Sequence, residues 1–415
     1  MGFLSGVFGQ RRSESGDYAT FGEWALAIVR ARPDIVSAEF DPTEFAITYA
    51  TPAGGWGQIS LATPYRSVSA APADLAGDVL VFGLHRLIDN GEDVSSGLAW
   101  ATVAPRLRPV IRQAGELATR VQGLSIAENT VWRPLLPCLM ERVVIDNPTS
   151  MESVTPQHLA NWGVDADTAF ETARANMAEL GSAIVDVFEA AEGLLYLADE
   201  DGEMYAGALP LAAGWIAALG AKAGALPIVF VPGTVGVFVG FATSPHRVRE
   251  LVAVARGLFD DAARRVSPVP YTLDEHGRLI PFTVPRHHPA WPAIRSAEAT
   301  LAAQVYATQH DGLRADLAAE LLEDHAATLM HTRGADGIET TYAPWADTVP
   351  TLLPHAHNVT LTNVETGATF GVPWHVLATE VDLVPVPGLF PVRYRVQFHP
   401  GAQAMARMAA AQGLH

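Results

Sequence analysis

The chain has 415 residues, 49% of them hydrophobic and 17% charged, with a formal charge of −18. That is apolar material for two or three cores and too little charge for a disordered chain. The negative balance argues against nucleic acid as a general partner and against anionic membrane surfaces, since both require a basic face.

In chain order, residues 1–17 read as an N-terminal tail whose apolar run precedes Arg11 and Arg12, the reverse of a secretory signal. No stretch reaches the roughly 18 to 20 apolar residues of a membrane span, so no integral membrane association is expected. Residues 18–128 read as an N-terminal α+β module. Phe21, Trp24, Ala25, Ile28 and Val29 give one helical face that Pro33 ends. Strands are expected at 35–40, 45–51 and 57–61, with Asp41 and Pro42 as a turn. Helical spacing returns at 75–88 through Leu75, Val79, Phe82 and Leu87, and Asn90 with Gly91 ends it. Further helix is expected between Pro105 and Pro109.

Residues 129–286 read as a central α+β domain. A strand at 142–146 stops at 147–150. Thr155 before Pro156 starts a short helix, Gly163 closes it, and Asp165 caps a longer one with Phe170, Ala173, Met177 and Leu180 on one face. Residues 193–198 and 203–205 flank the Asp201-Gly202 turn of a hairpin, and 209–219 is a compact apolar helix. The continuous apolar runs 226–232 and 235–241 read as strands buried on both faces. Residues 245–265 form a helix with Val248, Leu251, Val252, Ala255 and Leu258 inward. Prolines 268, 270, 281, 285, 289 and 292 mark a boundary whose Tyr271, Leu273, Leu279, Ile280 and Phe282 pack an extended segment onto the central domain.

Residues 287–415 read as a C-terminal α+β domain. It holds an alanine-rich helix over 293–330 broken near Asp311 and Gly312, short strands at 339–342, 359–361 and 392–398, and a last helix over 403–412. The expected fold class is α+β, in two or three modules of helix, antiparallel meander sheet and helix, without a fixed-period repeat.

Trp162, Gly163, Val164 and Asp165, followed by Ala173, Arg174, Ala175, Asn176 and Met177, resemble a passage of the YtpQ family of uncharacterised bacterial proteins, in which a Trp-Gly pair precedes Ala-x-x-Asn. Residues 59–66, 226–232 and 267–282 look like further family segments in the same order, so the likeness covers about 18–285 and leaves 292–415 outside it. It implies a fold and a cytoplasmic bacterial setting rather than a reaction. The helix, meander, helix pattern is also similar to small secretion-chaperone-like domains.

The familiar catalytic templates are missing. Lys222, the only lysine, is followed by Ala223, so there is no phosphate-binding Gly-Lys-Ser/Thr loop, and Gly233, Gly236 and Gly240 have the wrong spacing for a dinucleotide. A Gly-x-Ser-x-Gly elbow and a His-Glu-x-x-His helix are absent, and the acidic turn at 199–203 lacks the distal glutamate of a calcium loop. Histidines 310, 325, 331, 355, 357, 375, 399 and 415 crowd the C-terminal region. On a strand, His355 and His357 would share one face and with His375, Asp347 or Asp382 would make a tetrahedral metal site; Pro354 just before them leaves a loop equally open, and ordinary polar roles are the other reading. Cys138, the only cysteine, excludes an intramolecular disulfide, fits a reducing compartment, and reads as either a nucleophile or an inert buried thiol. Trp162 reads as packing the turn at Gly163, and Asn176 as hydrogen-bonding that turn's backbone.

The function expected from these residues is a non-enzymatic cytoplasmic protein that binds another protein, as an adaptor or chaperone, through its sheet faces or edges and without a cofactor. A metal-dependent hydrolase using the C-terminal histidines and a homo-oligomeric scaffold are the alternatives.

Overall fold

The computed structural model describes residues 14–412 apart from 43, 53–55, 62–63, 66–67, 70, 73–74, 90–97, 122–123, 148–150, 200–203, 235, 320–322 and 335–336. The fold is α+β. The start of the tail, the Asn90-Gly91 helix stop, the tip of the expected hairpin at 200–203 and His415 lie outside the described residues. Among the described residues no helix is long and apolar enough to cross a membrane. The chain divides into two compact units, each drawn from separate segments: Met1–Arg108, Val143–Asn176 and Asp199–Met204 in the first, Pro109–Arg142, Met177–Ala198 and Tyr205–His415 in the second. The cuts expected near 128 and 286 both fall within segments of the second unit.

In the first unit, helix Glu14–Arg30 leads into an antiparallel meander of Ser37–Asp41, Ala46–Ala50 and Trp56–Ser60. Phe21, Ala25, Leu26 and Val29 bury against Ile47, Tyr49 and Ile59. Helix Ala76–Asp89 completes this core with Leu80, Leu84 and Ile88, one residue each turn on a single face. Of the spacing read from the sequence, Leu75, Val79 and Phe82 therefore face the other way, while Leu87 packs against this core. The helix carries two apolar stripes, and the one made of Leu80, Leu84 and Ile88 is buried.

The expected helix between Pro105 and Pro109 is corrected. Trp100–Val103 and the 3-10 turn Ala104–Arg106 end at Leu107, where a strand begins. The unit closes with a short antiparallel pairing of Val144 and Ile145 with Ser153 and Glu152, then helices Pro156–Trp162 and Ala166–Ala175. The longer helix expected through Leu180 breaks at Asn176 and Met177, and Ala178–Val187 is a separate helix. Asn176 is the C-cap of the first of these helices, still at helical dihedrals, and its N–H donates to the Thr172 carbonyl at 3.0 Å.

The second unit is built on a five-stranded antiparallel sheet. Its order is Leu194–Ala198, Gly236–Phe241, Pro227–Gly233, Arg265–Leu273 and Leu279–Pro281. The two central apolar strands are buried at every residue, as their unbroken hydrophobic runs require. Helix Pro245–Asp261 covers one face through Val248, Leu251, Val252 and Ala255 against Ile228, Phe230 and Phe238. Leu194–Ala198 pairs with Gly236–Phe241, and Met204 and Tyr205, the described end of the expected second hairpin arm, are not strand. The helix expected over 209–219 is also corrected. Pro210 lies in the 3-10 turn Ala206–Leu211, and the α-helix Trp215–Ala223 starts only after Gly214, which takes φ 75°. The lone lysine, Lys222, donates to the carbonyls of Val185 and Asp186 at 2.7 and 2.9 Å and so caps the C-terminus of helix Ala178–Val187.

Helix Trp291–Ala319 runs unbroken past Asp311 and Gly312. Gly312 marks a close approach instead of a break: a Cβ there would overlap the backbone of Ala118, and one on Gly115 would crowd Val305 and Thr308. The two glycines let the 3-10 turn Ala114–Ala118 lie against the helix. The proline-rich stretch 267–292 is no linker, because Pro268 and Pro270 lie inside strand Arg265–Leu273 and Pro292 in the first turn of the long helix. Val269 and Tyr271 share one core with Leu301, Val305, Trp345 and Leu353.

Beyond that helix stand two four-stranded sheets. One runs His325–Ala326, Thr351–Pro354, Arg393–Val396, Val384–Pro385; the other runs Met330–Arg333, Glu339–Ala346, Asn358–Thr362, Thr369–Pro373. Each contains one parallel pairing, so this region departs from the purely antiparallel meander expected. Helices Trp374–Glu380 and Ala402–Gln412 finish the unit.

Candidate functional site

The passage that carries the family resemblance is a corner held by its own side chains. Thr155 Oγ1 accepts from the His158 backbone N–H at 3.2 Å, and His158 Nδ1 accepts from the Thr155 N–H at 3.1 Å. This is a capping box with histidine in the place usually taken by Glu or Gln. Nδ1 therefore carries no proton, and the ring proton sits on Nε2, 3.3 Å from Glu152 Oε1. The His158 ring stacks on Trp162 at 5.2 Å and 7°, and Trp162 also meets Trp100 at 5.8 Å. Gly163 ends the helix at φ 67°. Asp165 accepts from Thr168 N–H at 2.8 Å, and the Thr168 hydrogen bonds hold its carboxyl below the usual range. The sequence reading missed His158; the signal was its place three residues after a Thr-Pro start.

Asn176 does not bond the Gly163 turn as expected. Its Nδ2 donates to the carbonyls of Ala104 and Leu107 at 2.7 and 2.9 Å, so it ties the end of helix Ala166–Ala175 to the 3-10 turn before the strand at Leu107. Every group named in this corner is used by a partner within it, apart from Trp162 Nε1, which has none among the described residues. The corner is architecture.

The C-terminal histidines are not brought together. His355 and His357 lie between strands Thr351–Pro354 and Asn358–Thr362, in the loop that Pro354 left open rather than on a strand face. His357 Nδ1 accepts from Thr341 N–H at 3.1 Å, while its own N–H donates to Thr341 Oγ1 at 3.0 Å. Burial, with the Arg295 charge next, pushes its pKa down to about 3, so the ring is neutral. The His355 ring packs on Trp374 at 4.7 Å, with Tyr394 on that indole at 5.2 Å. His375 is exposed on helix Trp374–Glu380. Asp347 accepts from Asn363 and Val364 instead of facing the histidines. Among the described residues no group of three or more His, Cys, Asp or Glu is placed to hold a metal ion.

Other titratable groups sit in the second unit's core. Burial pushes the Cys138 thiol up to about 12, which leaves almost no thiolate at neutral pH. Tyr271, fully buried, shares a 2.6 Å hydrogen bond with Ser267, and burial raises its pKa as well. Arg393, also fully buried, donates to Gln309 Oε1 at 2.7 Å and to the carbonyls of Ala327 and Leu352 at 2.7 and 3.0 Å. Its guanidinium stands over the Tyr306 ring, and burial lowers its pKa to about 10, so it remains charged at pH 7. These contacts lock the long helix to the strands around it.

A row of apolar side chains reaches the surface in the first unit. On helix Ala76–Asp89, Phe82 is 69% exposed and Leu75 48%, with Val79 half-buried between them. The Trp24 ring edge lies 3.9 Å from where a Gly77 Cβ would stand, on the opposite side of the helix from this stripe. A helix that is apolar on both sides is ordinarily covered on both. No family model, curated protein or solved structure matches the chain.

Proposed function

We propose that this is a protein-binding protein of adaptor or chaperone type, acting through the N-terminal helix, meander, helix module rather than by catalysis. One observation carries the reading. Helix Ala76–Asp89 buries Leu80, Leu84 and Ile88 and presents a second apolar stripe, Leu75, Val79 and Phe82, to solvent. Exposing large apolar side chains in a row is unfavourable by roughly 25 cal/mol for each Å2, which a bound partner would recover. The missing catalytic templates and the charge of −18 agree with a partner of opposite charge. Affinity capture from a native lysate tests the reading: a partner recovered near one-to-one supports it. Recovery of none, together with turnover of a small-molecule substrate, would overturn it.

A further inference from the structure

We infer that the Leu75, Val79 and Phe82 stripe is the seat of a short amphipathic helix from a partner protein, one that carries basic residues beside its apolar face. The inference rests on the protein-binding reading and names the partner's chemistry. Three features lead to it.

The first is spacing. Leu75, Val79 and Phe82 stand at i, i+4 and i+7, and the Val79 N–H to Leu75 carbonyl bond of 3.0 Å shows that the helical path already includes Leu75. The stripe is about 10 Å long at the rise of an α-helix. A ridge of that length matches about two turns of a second helix, whose own apolar residues repeat with the same period.

The second is size. With a large apolar side chain at roughly 150–250 Å2 when whole, the open parts of Phe82 and Leu75 come to on the order of 200 Å2. A second copy of this chain would need about 800 Å2 on each side for a stable pair. The stripe alone therefore fits a peptide-sized helix better than a symmetric dimer.

The third is charge. Asp78, within the same helix and about 40° of rotation from Phe82, is an exposed carboxylate beside the stripe. With a net charge of −18 on the chain it favours a partner whose polar face is basic and speeds that partner's arrival at low salt.

The test uses the full chain and a fluorescent 14-residue peptide of leucine and lysine, with leucines on one helical face. Its controls are a scrambled peptide of identical composition and a leucine–glutamate peptide of the same pattern. The expected result is binding of the patterned basic peptide, at least about tenfold weaker binding of both controls, and a similar loss on Phe82→Ser or Leu75→Ser. Val36→Ser, which alters an exposed valine elsewhere in the same unit, should leave binding unchanged, and thermal melts should show all three variants folded. Equal binding by wild type and Phe82→Ser would overturn the inference while leaving the protein-binding reading to another surface. Binding of none of the peptides, with sedimentation showing a dimer that Phe82→Ser dissolves, would assign the stripe to a second copy and overturn it as well. If capture from lysate yields no partner and turnover of a small-molecule substrate is found instead, the broader reading falls separately.

Discussion

Thr341 and His357 hold each other by two hydrogen bonds, backbone N–H to ring Nδ1 in one direction and backbone N–H to hydroxyl in the other. They stand one residue before the parallel ladder that begins at Tyr342 opposite Asn358. A parallel pair cannot be closed by a tight turn, so its first residues need another means of registration. The imidazole supplies it by accepting the Thr341 N–H, and that use of Nδ1 is incompatible with protonation there.

Acid should therefore weaken this clasp. An unfolded histidine takes up a proton near 6.5, whereas His357 in the fold does so only near 3. Between those values the unfolded state binds more protons, so stability falls as pH drops through that window, by at most about 1.4 kcal/mol for each pH unit. Above 6.5 the group adds no pH dependence. His357→Gln keeps an acceptor for Thr341 without a titrating group. Its unfolding midpoint, followed from pH 7 to 4.5, should decline less steeply than wild type; parallel declines would refute the assignment.

Asn176 offers a direct test of the corner. Removing its amide leaves the carbonyls of Ala104 and Leu107 without their donor, so Asn176→Ala should destabilise by about 1–3 kcal/mol. Asn176→Asp should be worse at pH 7, since a carboxylate would face two carbonyl oxygens with no proton to give. Denaturant unfolding that ranks Asp above Ala would show that the amide does not act as this donor.

Two helical glycines should respond to the same substitution with opposite sign. In helix Pro245–Asp261, a Cβ on Gly257 meets nothing within 4 Å, so Gly257→Ala should stabilise by about 0.5–1 kcal/mol through helix propensity. In helix Trp291–Ala319, Gly312→Ala gains the same propensity but forces the new methyl into the Ala118 backbone, and the clash should win. Thermal unfolding decides; stabilisation by both would mean that the turn over Gly312 is free to move.

Cys138 should behave as an inert thiol. A pKa near 12 lowers the thiolate fraction at pH 8 by about a thousandfold relative to a free cysteine, before any barrier from burial. A chromogenic disulfide reagent should label the native chain only as fast as it unfolds and the urea-unfolded chain within minutes. Rapid labelling of native protein would reopen the nucleophile reading.

Much of the local structure was legible along the chain. The meander strands, the doubly buried strands around Gly233, the Thr155 and Asp165 caps and the Gly163 stop each depend on residues within a few positions, so periodicity and capping chemistry determine them. What the sequence could not settle is which of two apolar stripes on one helix meets a core. Leu75, Val79 and Phe82 are as periodic as Leu80, Leu84 and Ile88, and only the meander's placement turns the second set inward and leaves the first exposed. The same limit applies to Asn176, Gly312 and His357. Each is explained by a backbone group that the chain brings back from far along its length, to Ala104, to Ala118 and to Thr341. Local propensity fixes the elements, but the partner of a side chain is decided by tertiary packing, where distance along the chain no longer measures distance in space.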